Sequence, residues 1–239
     1  MAARTPAEVL TFGRSPDATV RAADESLDDA GRPSYTLVTP EGSAPVRLRL
    51  YGAHAVDNTL AAAAAARRFG MPVAEIAEAL SEAEPASRWR MEVTERADGV
   101  TVVNDAYNAN PESVRAALDT LVHMARGGRA FAVLGGMAEL GASTVSEHEK
   151  IGAYAARGGL AGLIAVGEIA AAVLKGAEQV GTWTGERVQV EDVGAAVAAL
   201  GERLRPGDVV LIKGSRVTGL ERVAQAVLTA VPAEGGDHA

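Results

Sequence analysis

One short segment, Asn104–Pro111, carries three amides, a carboxylate and a phenol in the sequence NDAYNANP. It directly follows a predicted buried strand, and in open α/β sheets ligands collect beyond the carboxyl ends of the strands. Asn110 and Pro111 are also favourable types for a helix N-cap and first helical residue. The segment therefore indicates either a binding loop or ordinary turn and capping chemistry, and its composition leaves both interpretations open.

Three further places could contact a ligand. The glycine-rich segment Gly135–Gly141 follows the next predicted strand, and its glycines would permit close backbone approach or a simple turn. Lys213–Arg216, KGSR, follows the last strand and places a cation and hydrogen-bond donors where an anion could bind, although a solvated surface loop is a comparable alternative. His54 and Asn58 would share one helix face, where capping is the simpler role.

The sequence lacks the residues that several classes of catalysis require. The sequence contains no G-x-x-x-x-G-K-[ST] phosphate loop, no cysteine and no G-x-S-x-G elbow. His123, His148 and His238 show no spacing typical of metal ligands, which argues against zinc hydrolysis. His148 falls in a predicted helix, where we expect a solvent-facing side chain.

Composition indicates a globular protein that does not bind nucleic acid or membranes. The 239 residues are 48% hydrophobic and 23% charged, with a net charge of -8 that disfavours binding to a phosphate backbone. The longest alanine-rich run, Leu60–Ala66, is far shorter than the roughly 20 residues of a membrane span. The first residues do not resemble a signal peptide, and we expect a cytoplasmic protein.

The first part of the chain predicts four strands and two helices. The runs VLTF, ATVRAA, SYTLVT and VRLRL, between Val9 and Leu50, are separated by turn formers and read as strands. A helix over 57–70 and a second over 73–80 follow. The proline-containing segment SEAEPASRWR is the candidate linker.

From residue 100 onward, strands and helices alternate. The pattern predicts strands at 100–105, 129–135, 160–167, 187–192 and 208–214, with helices at 110–124, 146–157, 169–179, 193–203 and 220–231. Ser146 and Glu149 suggest a capping box at the start of the second of these helices. This alternation predicts an α/β fold, a Rossmann-like doubly wound domain with a mostly parallel sheet.

Several blocks together resemble one family. NDAYNANPES, then VLGGMAELG with EH shortly after, GAHAVDNTLAAAAAA, SRWRMEV and GDVVLIKGSR occur in the order typical of Mur ligases. The likeness runs from about Phe12 to Val231, and NDAYNANP is similar to the signature of the members that add D-alanyl-D-alanine to UDP-MurNAc-tripeptide. Ala55 and Gly136 depart from the family pattern, which usually has Asn and Asp at these positions.

The resemblance implies an ATP-dependent amide ligase of peptidoglycan synthesis that works through an acyl phosphate. Residues 1–87 would be the last part of a central ATP-binding domain, and residues 88–239 the C-terminal Rossmann-like domain. ATP and Mg²⁺ are the implied cofactors, with the phosphate loop and metal ligands in an N-terminal half that the sequence does not contain. We expect no ligation by this chain alone.

The resemblance also implies roles for individual residues. Asn58 would contact adenine, Arg90 phosphate and Asp105 ribose, and these side chains carry suitable donors and acceptors. Further residues would line the cleft and help to hold the incoming dipeptide: Tyr107, Asn108, Asn110, Lys213 and Ser215. The alternatives are a non-catalytic module that binds nucleotide or dipeptide, and a sibling ligase with another amino-acid substrate, which NDAYNANP disfavours.

Overall fold

The chain divides into two compact units between Ala86 and Ser87. The computed structural model describes residues 5–230. We predicted the boundary one residue later, and the assignment of the first unit to a central ATP-binding domain stays a prediction. None of the helices in residues 5–230 combines the length and apolar content needed to span a bilayer.

The first unit packs two helices on a small sheet. Alternate residues of the third strand, including Tyr35 and Leu37, are buried, and they meet Leu60 and Ile76 from the helices in one apolar core. The first two strands are parallel and the other pairs are antiparallel. In chain order the elements are β1 (Phe12–Gly13), β2 (Val20–Leu27), β3 (Pro33–Thr39), β4 (Gly42–Arg47), α1 (His54–Arg68) and α2 (Val73–Glu82).

Several element boundaries in this unit differ from the sequence-based prediction. Of the run VLTF only Phe12 lies in β1, β2 extends beyond ATVRAA to Leu27, and α2 ends two residues later than predicted. Strand β4 begins at Gly42, so the run VRLRL lies largely beyond its end at Arg47. Helix α1 begins at His54 rather than at Asp57. Ala55 and Val56 are buried in the core of the unit, and this packing extends the helix toward the amino end beyond the region of strong helix formers.

The second unit is a six-stranded sheet with helices on both faces. The strand order is β5-β6-β10-β7-β8-β9, and every neighbouring pair is parallel except β5 with β6. The doubly wound, mostly parallel fold predicted from the sequence is confirmed. Its strands are β5 (Glu92–Glu95), β6 (Thr101–Asp105), β7 (Ala130–Leu134), β8 (Gly162–Val166), β9 (Glu186–Val190) and β10 (Val209–Lys213).

The edge strand β5 was not predicted because its four residues, EVTE, are only half-buried or exposed and lack an apolar pattern. By contrast, β7, β8 and β10 are buried along their whole length, as expected of strands covered on two faces. The helices are α3 (Pro111–Ala125), α4 (Thr144–Arg157), α5 (Ala171–Glu178), α6 (Val193–Gly201) and α7 (Glu221–Thr229).

The helices form two groups. Val210 and Ile212 of β10 pack into the core with α6 and α7. Because successive strand residues point to opposite faces, Leu211 faces the other side, where α3 contacts β10 and adjoins α4. Residue 231, at the end of the last predicted helix, lies outside the described residues.

Helices α4 and α5 touch through glycines. A Cβ added to Gly152 would lie 1.7 Å from the carbonyl oxygen of Val173, and one added to Gly176 would lie 1.8 Å from that of Glu149. Backbone therefore meets backbone at this crossing, and no larger residue fits without moving one of the helices.

An acidic turn next to α7 has one strongly perturbed carboxyl group. The side-chain hydrogen bond from Arg96 lowers the pKa of Asp98 to about 2 from its ordinary 3.8. Arg96 also donates to the carbonyl oxygen of Val227 at 3.0 Å, so the ion pair fastens the β5–β6 turn to α7.

Candidate functional site

Three polar loops meet at one edge of the sheet. Strands β6, β10 and β7 are adjacent and parallel, so the segments that follow them leave the sheet at the same edge. These segments are 106–110, 214–219 and 135–141, and they overlap the three that the sequence singled out in this unit, 104–111, 213–216 and 135–141. Their position is the one at which open α/β sheets bind ligands.

A buried ion pair joins the first two loops. Lys213 Nζ donates to Asp105 Oδ2 at 2.5 Å and to the carbonyl oxygen of Asn108 at 2.9 Å. The other carboxylate oxygen of Asp105 accepts the backbone N–H of Met91 at 3.1 Å. The Lys213 side chain is 2% exposed and that of Asp105 is 13% exposed. Both charges are thus neutralised inside the protein, and their bonds set the path of the loop after β6.

The glycine-rich loop after β7 is held by two buried side chains. His148 Nε2 accepts the Met137 N–H at 2.9 Å, and Ser215 Oγ accepts the N–H of Ala138 at 2.8 Å. The other ring nitrogen of His148 lies 2.7 Å from the carbonyl oxygen of Thr144, so this nitrogen carries the proton of a neutral imidazole. The loop is therefore preorganised by its neighbours in space.

Two predictions about α4 are wrong. His148 is fully buried, not solvent-facing, because α4 turns it toward the loop. Ser146 does not form a capping box with Glu149, because α4 already begins at Thr144 and Ser146 donates to the carbonyl oxygen of Ser143. A 3-10 turn at Gly141–Ser143 leads into the helix and moves its start toward the amino end.

The start of α3 has the cap that the sequence predicted. Asn110 Oδ1 accepts the Ser113 N–H at 2.8 Å, and Ser113 Oγ accepts the Asn110 N–H at 3.1 Å, with Pro111 at the first helical position. This reciprocal pair satisfies two backbone donors at the helix start. The side-chain oxygen of Asn110 thus has a structural role in this structure.

An arginine and aromatic cluster lies beside the ion pair. The Arg216 guanidinium lies 4.1 Å from the ring centroid of Trp89 and 5.9 Å from that of Tyr107, while Arg90 lies 4.2 Å from Tyr107. Arg88 lies 5.5 Å from Trp89. These distances suit cation–π attraction. Together with Ser87 and Asn108, the side chains of Arg88, Trp89, Tyr107 and Arg216 line an open cleft of about 500 Å³.

The backbone beneath this cleft is strained. Trp89 and Met91 adopt left-handed conformations with φ of 61° and 48°, which cost side-chain-bearing residues on the order of 1–3 kcal/mol each. Two hydrogen bonds hold them there: the Trp89 carbonyl oxygen accepts the Tyr107 N–H at 3.0 Å, and the Met91 N–H is bound by Asp105. The strained turn presents the Trp89 ring to Arg216.

The predicted site residues fall into three groups. Arg90, Tyr107 and Asn108 are exposed beside the cleft, and Tyr107 is 40% exposed. Asp105, Lys213 and Ser215 are buried beneath it, so a direct contact with a ligand would require their present bonds to be exchanged. Asn58 is exposed on α1 of the other unit. The ligand contacts assigned to all of these residues stay predictions.

Sequence reasoning did not assign Trp89 or His148 to the site, and it included Arg216 only as the last residue of the candidate anion segment Lys213–Arg216. Trp89 was visible in the block SRWRMEV, but nothing in that block shows that its ring faces Arg216. In residues 5–230, no group of three or more histidine or acidic side chains could hold a metal ion.

The fold and this edge define a doubly wound α/β domain whose carboxyl edge is polar and partly cationic. The model of the family "Mur ligase, glutamate ligase domain" matches residues 89–216. The chain belongs to the Mur ligase family, which confirms the resemblance seen in the sequence.

Two curated relatives that match the chain carry the same name. The chain is 45% identical to the UDP-N-acetylmuramoyl-tripeptide–D-alanyl-D-alanine ligase of Mycobacterium tuberculosis strain H37Rv over 95% of its own length and 48% of the relative's. It is 32% identical to the corresponding ligase of Escherichia coli K12, covering 81% of this chain and 41% of that one. The chain spans about half the length of these curated relatives.

Solved structures agree with this assignment. MurF from Acinetobacter baumannii superposes with a TM-score of 0.81 at 29% identity, covering 92% of this chain and 47% of that one. MurF ligase from Thermotoga maritima, solved in complex with ADP, gives a TM-score of 0.76 at 25% identity, covering 92% and 48%.

Proposed function

We propose that this chain forms part of an ATP-dependent amide ligase that joins D-alanyl-D-alanine to UDP-MurNAc-tripeptide in the cytoplasm during peptidoglycan precursor synthesis. The observation that carries the proposal is the 45% identity to a ligase of that name over 95% of the chain. The carboxyl-edge loops of the second unit lie within the matched family region, residues 89–216.

The chemistry of the cleft fits an anionic substrate. Arg88 and Arg216 line it, Arg90 lies against Tyr107 beside it, and the ion pairs of residues 5–230 include none of these three arginines. Guanidinium groups bind carboxylate and phosphate oxygens well because their planar donors match these anions. ATP, when bound, supplies the phosphoryl group that activates a carboxylate. Arg90 is the residue that we assign to its phosphates, and Asp105 to its ribose.

The other side chains are assigned by their position. Asn58, on the first unit, is our candidate for adenine. Tyr107 and Asn108 can contact the dipeptide at the exposed end of the loop, and Asn110 shapes that loop through its cap. Lys213 and Ser215 support the edge from beneath. The resemblance to the family assigns the metal ligands and the triphosphate cradle to an N-terminal half of the enzyme.

A chimera tests the proposal. The N-terminal half of the M. tuberculosis ligase would be fused to this chain at the first matched residue, and amide formation would be followed with ATP, Mg²⁺, UDP-MurNAc-tripeptide and D-alanyl-D-alanine. We expect ligation of D-alanyl-D-alanine and not of L-alanyl-L-alanine. A folded chimera that binds ATP without ligating the dipeptide would contradict the proposal and would favour a non-catalytic binding module.

A further inference from the structure

Arg216 is the arginine of the cleft that lies near two aromatic rings, those of Trp89 and Tyr107. Other arginines form ion pairs with acidic side chains, as Arg96 does with Asp98 and Arg203 with Glu186. The Arg216 guanidinium instead stacks near the Trp89 ring, at 4.1 Å, with the Tyr107 ring at 5.9 Å, and no carboxylate within residues 5–230 forms an ion pair with it. In a chain of net charge -8, a cation kept free of acidic partners indicates a site for an external anion.

The backbone of Arg216 is fixed from below. The preceding residue, Ser215, donates its N–H to the Gly136 carbonyl oxygen at 3.1 Å and accepts the Ala138 N–H on its side chain. Gly214 lies so close to its neighbours that an added Cβ would approach Thr218 Oγ1 within 2.6 Å. The loop after β10 therefore has little freedom to move Arg216 away from the cleft.

The Trp89 ring supports one face of the Arg216 guanidinium. The Trp89 ring is presented by a strained turn that Asp105 and Tyr107 hold in place. Stacking against a ring uses the face of the guanidinium and leaves its in-plane N–H donors available. The result is a preorganised donor fork at the wall of an open cleft, where binding an anion orders few additional groups.

We propose that Arg216 is an anion-binding residue of this domain, which takes planar carboxylate or phosphate oxygens through the guanidinium edge while Trp89 supports its face. The inference rests on the proposed function only for the identity of the natural ligand. Within that function, the anion is either the terminal carboxylate of the dipeptide or a phosphate of the nucleotide, and both present the same oxygen chemistry.

The two tryptophans give a direct test. Trp89 forms the cleft wall, whereas the indole N–H of Trp183 is bound to the Leu160 carbonyl oxygen at 2.7 Å and lines a different cleft. Two-dimensional ¹H–¹⁵N NMR of the whole chain therefore has one reporter and one internal control, and Trp183→Phe assigns the two indole signals. The probes are pyrophosphate, D-alanyl-D-alanine and the C-terminal amide of that dipeptide.

We expect a saturable shift of the Trp89 signal with pyrophosphate or with the dipeptide, and little change at Trp183. A response to the dipeptide but not to its amide would identify the carboxylate as the ligand, and a response to pyrophosphate alone would identify phosphate. Arg216→Gln should weaken binding at least tenfold, because hydrogen bonds to charged groups contribute that much.

The matched control is Arg205→Gln, which removes the same charge from an exposed arginine that precedes β10 at the opposite edge of the sheet. The affinity of this variant for the probes should stay within about twofold of wild type, because Arg205 does not line the cleft. The inference fails if no probe gives a saturable Trp89 shift, if Arg216→Gln binds like wild type, or if Arg205→Gln weakens binding equally.

This test is separate from that of the ligase. Arg216-dependent anion binding together with an inactive, folded chimera would remove the proposed function and leave the inference standing. An active chimera with binding that does not depend on Arg216 would do the reverse.

Discussion

The ion pair between Asp105 and Lys213 offers the sharpest test of how the carboxyl edge is built. Breaking a buried pair by removing one partner costs about 3–5 kcal/mol, because the remaining charge is left uncompensated. The two partners are not equivalent here. Asp105→Asn would leave an ammonium that is 2% exposed with neutral oxygen acceptors and no counter-charge, so we expect a cost of about 3–5 kcal/mol.

Lys213→Met should cost less. It leaves a carboxylate that is 13% exposed and still accepts the Met91 N–H, so partial hydration lowers the expected cost to about 2–3 kcal/mol. In the double variant neither charge remains. Its loss should be smaller than the sum of the single losses by about 2 kcal/mol, the coupling expected of residues in one network.

Urea unfolding followed by tryptophan fluorescence measures these costs. Trp89 and Trp183 both lie in the second unit, so the signal follows the unit that contains the ion pair. Additive losses in the double variant, or single losses below about 1 kcal/mol, would show that the pair does not hold the loop. A larger loss for Lys213→Met than for Asp105→Asn would refute the exposure argument.

Three further predictions concern the same unit and use the same unfolding assay. His148→Leu should cost about 2–4 kcal/mol and speed hydrogen exchange in the loop 135–141, and unchanged exchange would contradict its holding role. Gly152→Ala should cost about 3 kcal/mol or more because α5 leaves no room, whereas Gly201→Ala, in open space, should be neutral or slightly stabilising. Asp98→Asn should cost about 1–2 kcal/mol at pH 7. The folded pKa of Asp98, about 2, is below its ordinary 3.8, so its contribution is present above 3.8 and is lost as the pH falls toward 2. The variant should show no such loss between pH 4 and 2, and an unchanged pH profile would contradict the Arg96 contact.

Much of the second unit could be predicted from the sequence because its signals are local. Short continuous apolar runs bounded by turn residues, such as those of β7 and β10, are typical of buried strands, and Asn110 with Pro111 marks the start of α3. The strand β5 and the start of α4 were missed. Both are set by pairing and packing with neighbours rather than by their own composition.

The sequence by itself determined the family, the class of fold and the loops that carry polar chemistry, because motif order, apolar periodicity and turn residues are properties of the chain. Only the tertiary structure decided what each polar side chain does. Lys213 and Asp105 are distant in sequence, and their pairing exists because β6 and β10 are neighbours in the sheet. The burial of His148 and the aromatic support of Arg216 likewise depend on elements that meet only in the folded chain. Such contacts are set by which residues lie close in space, and separation along the sequence does not reveal them.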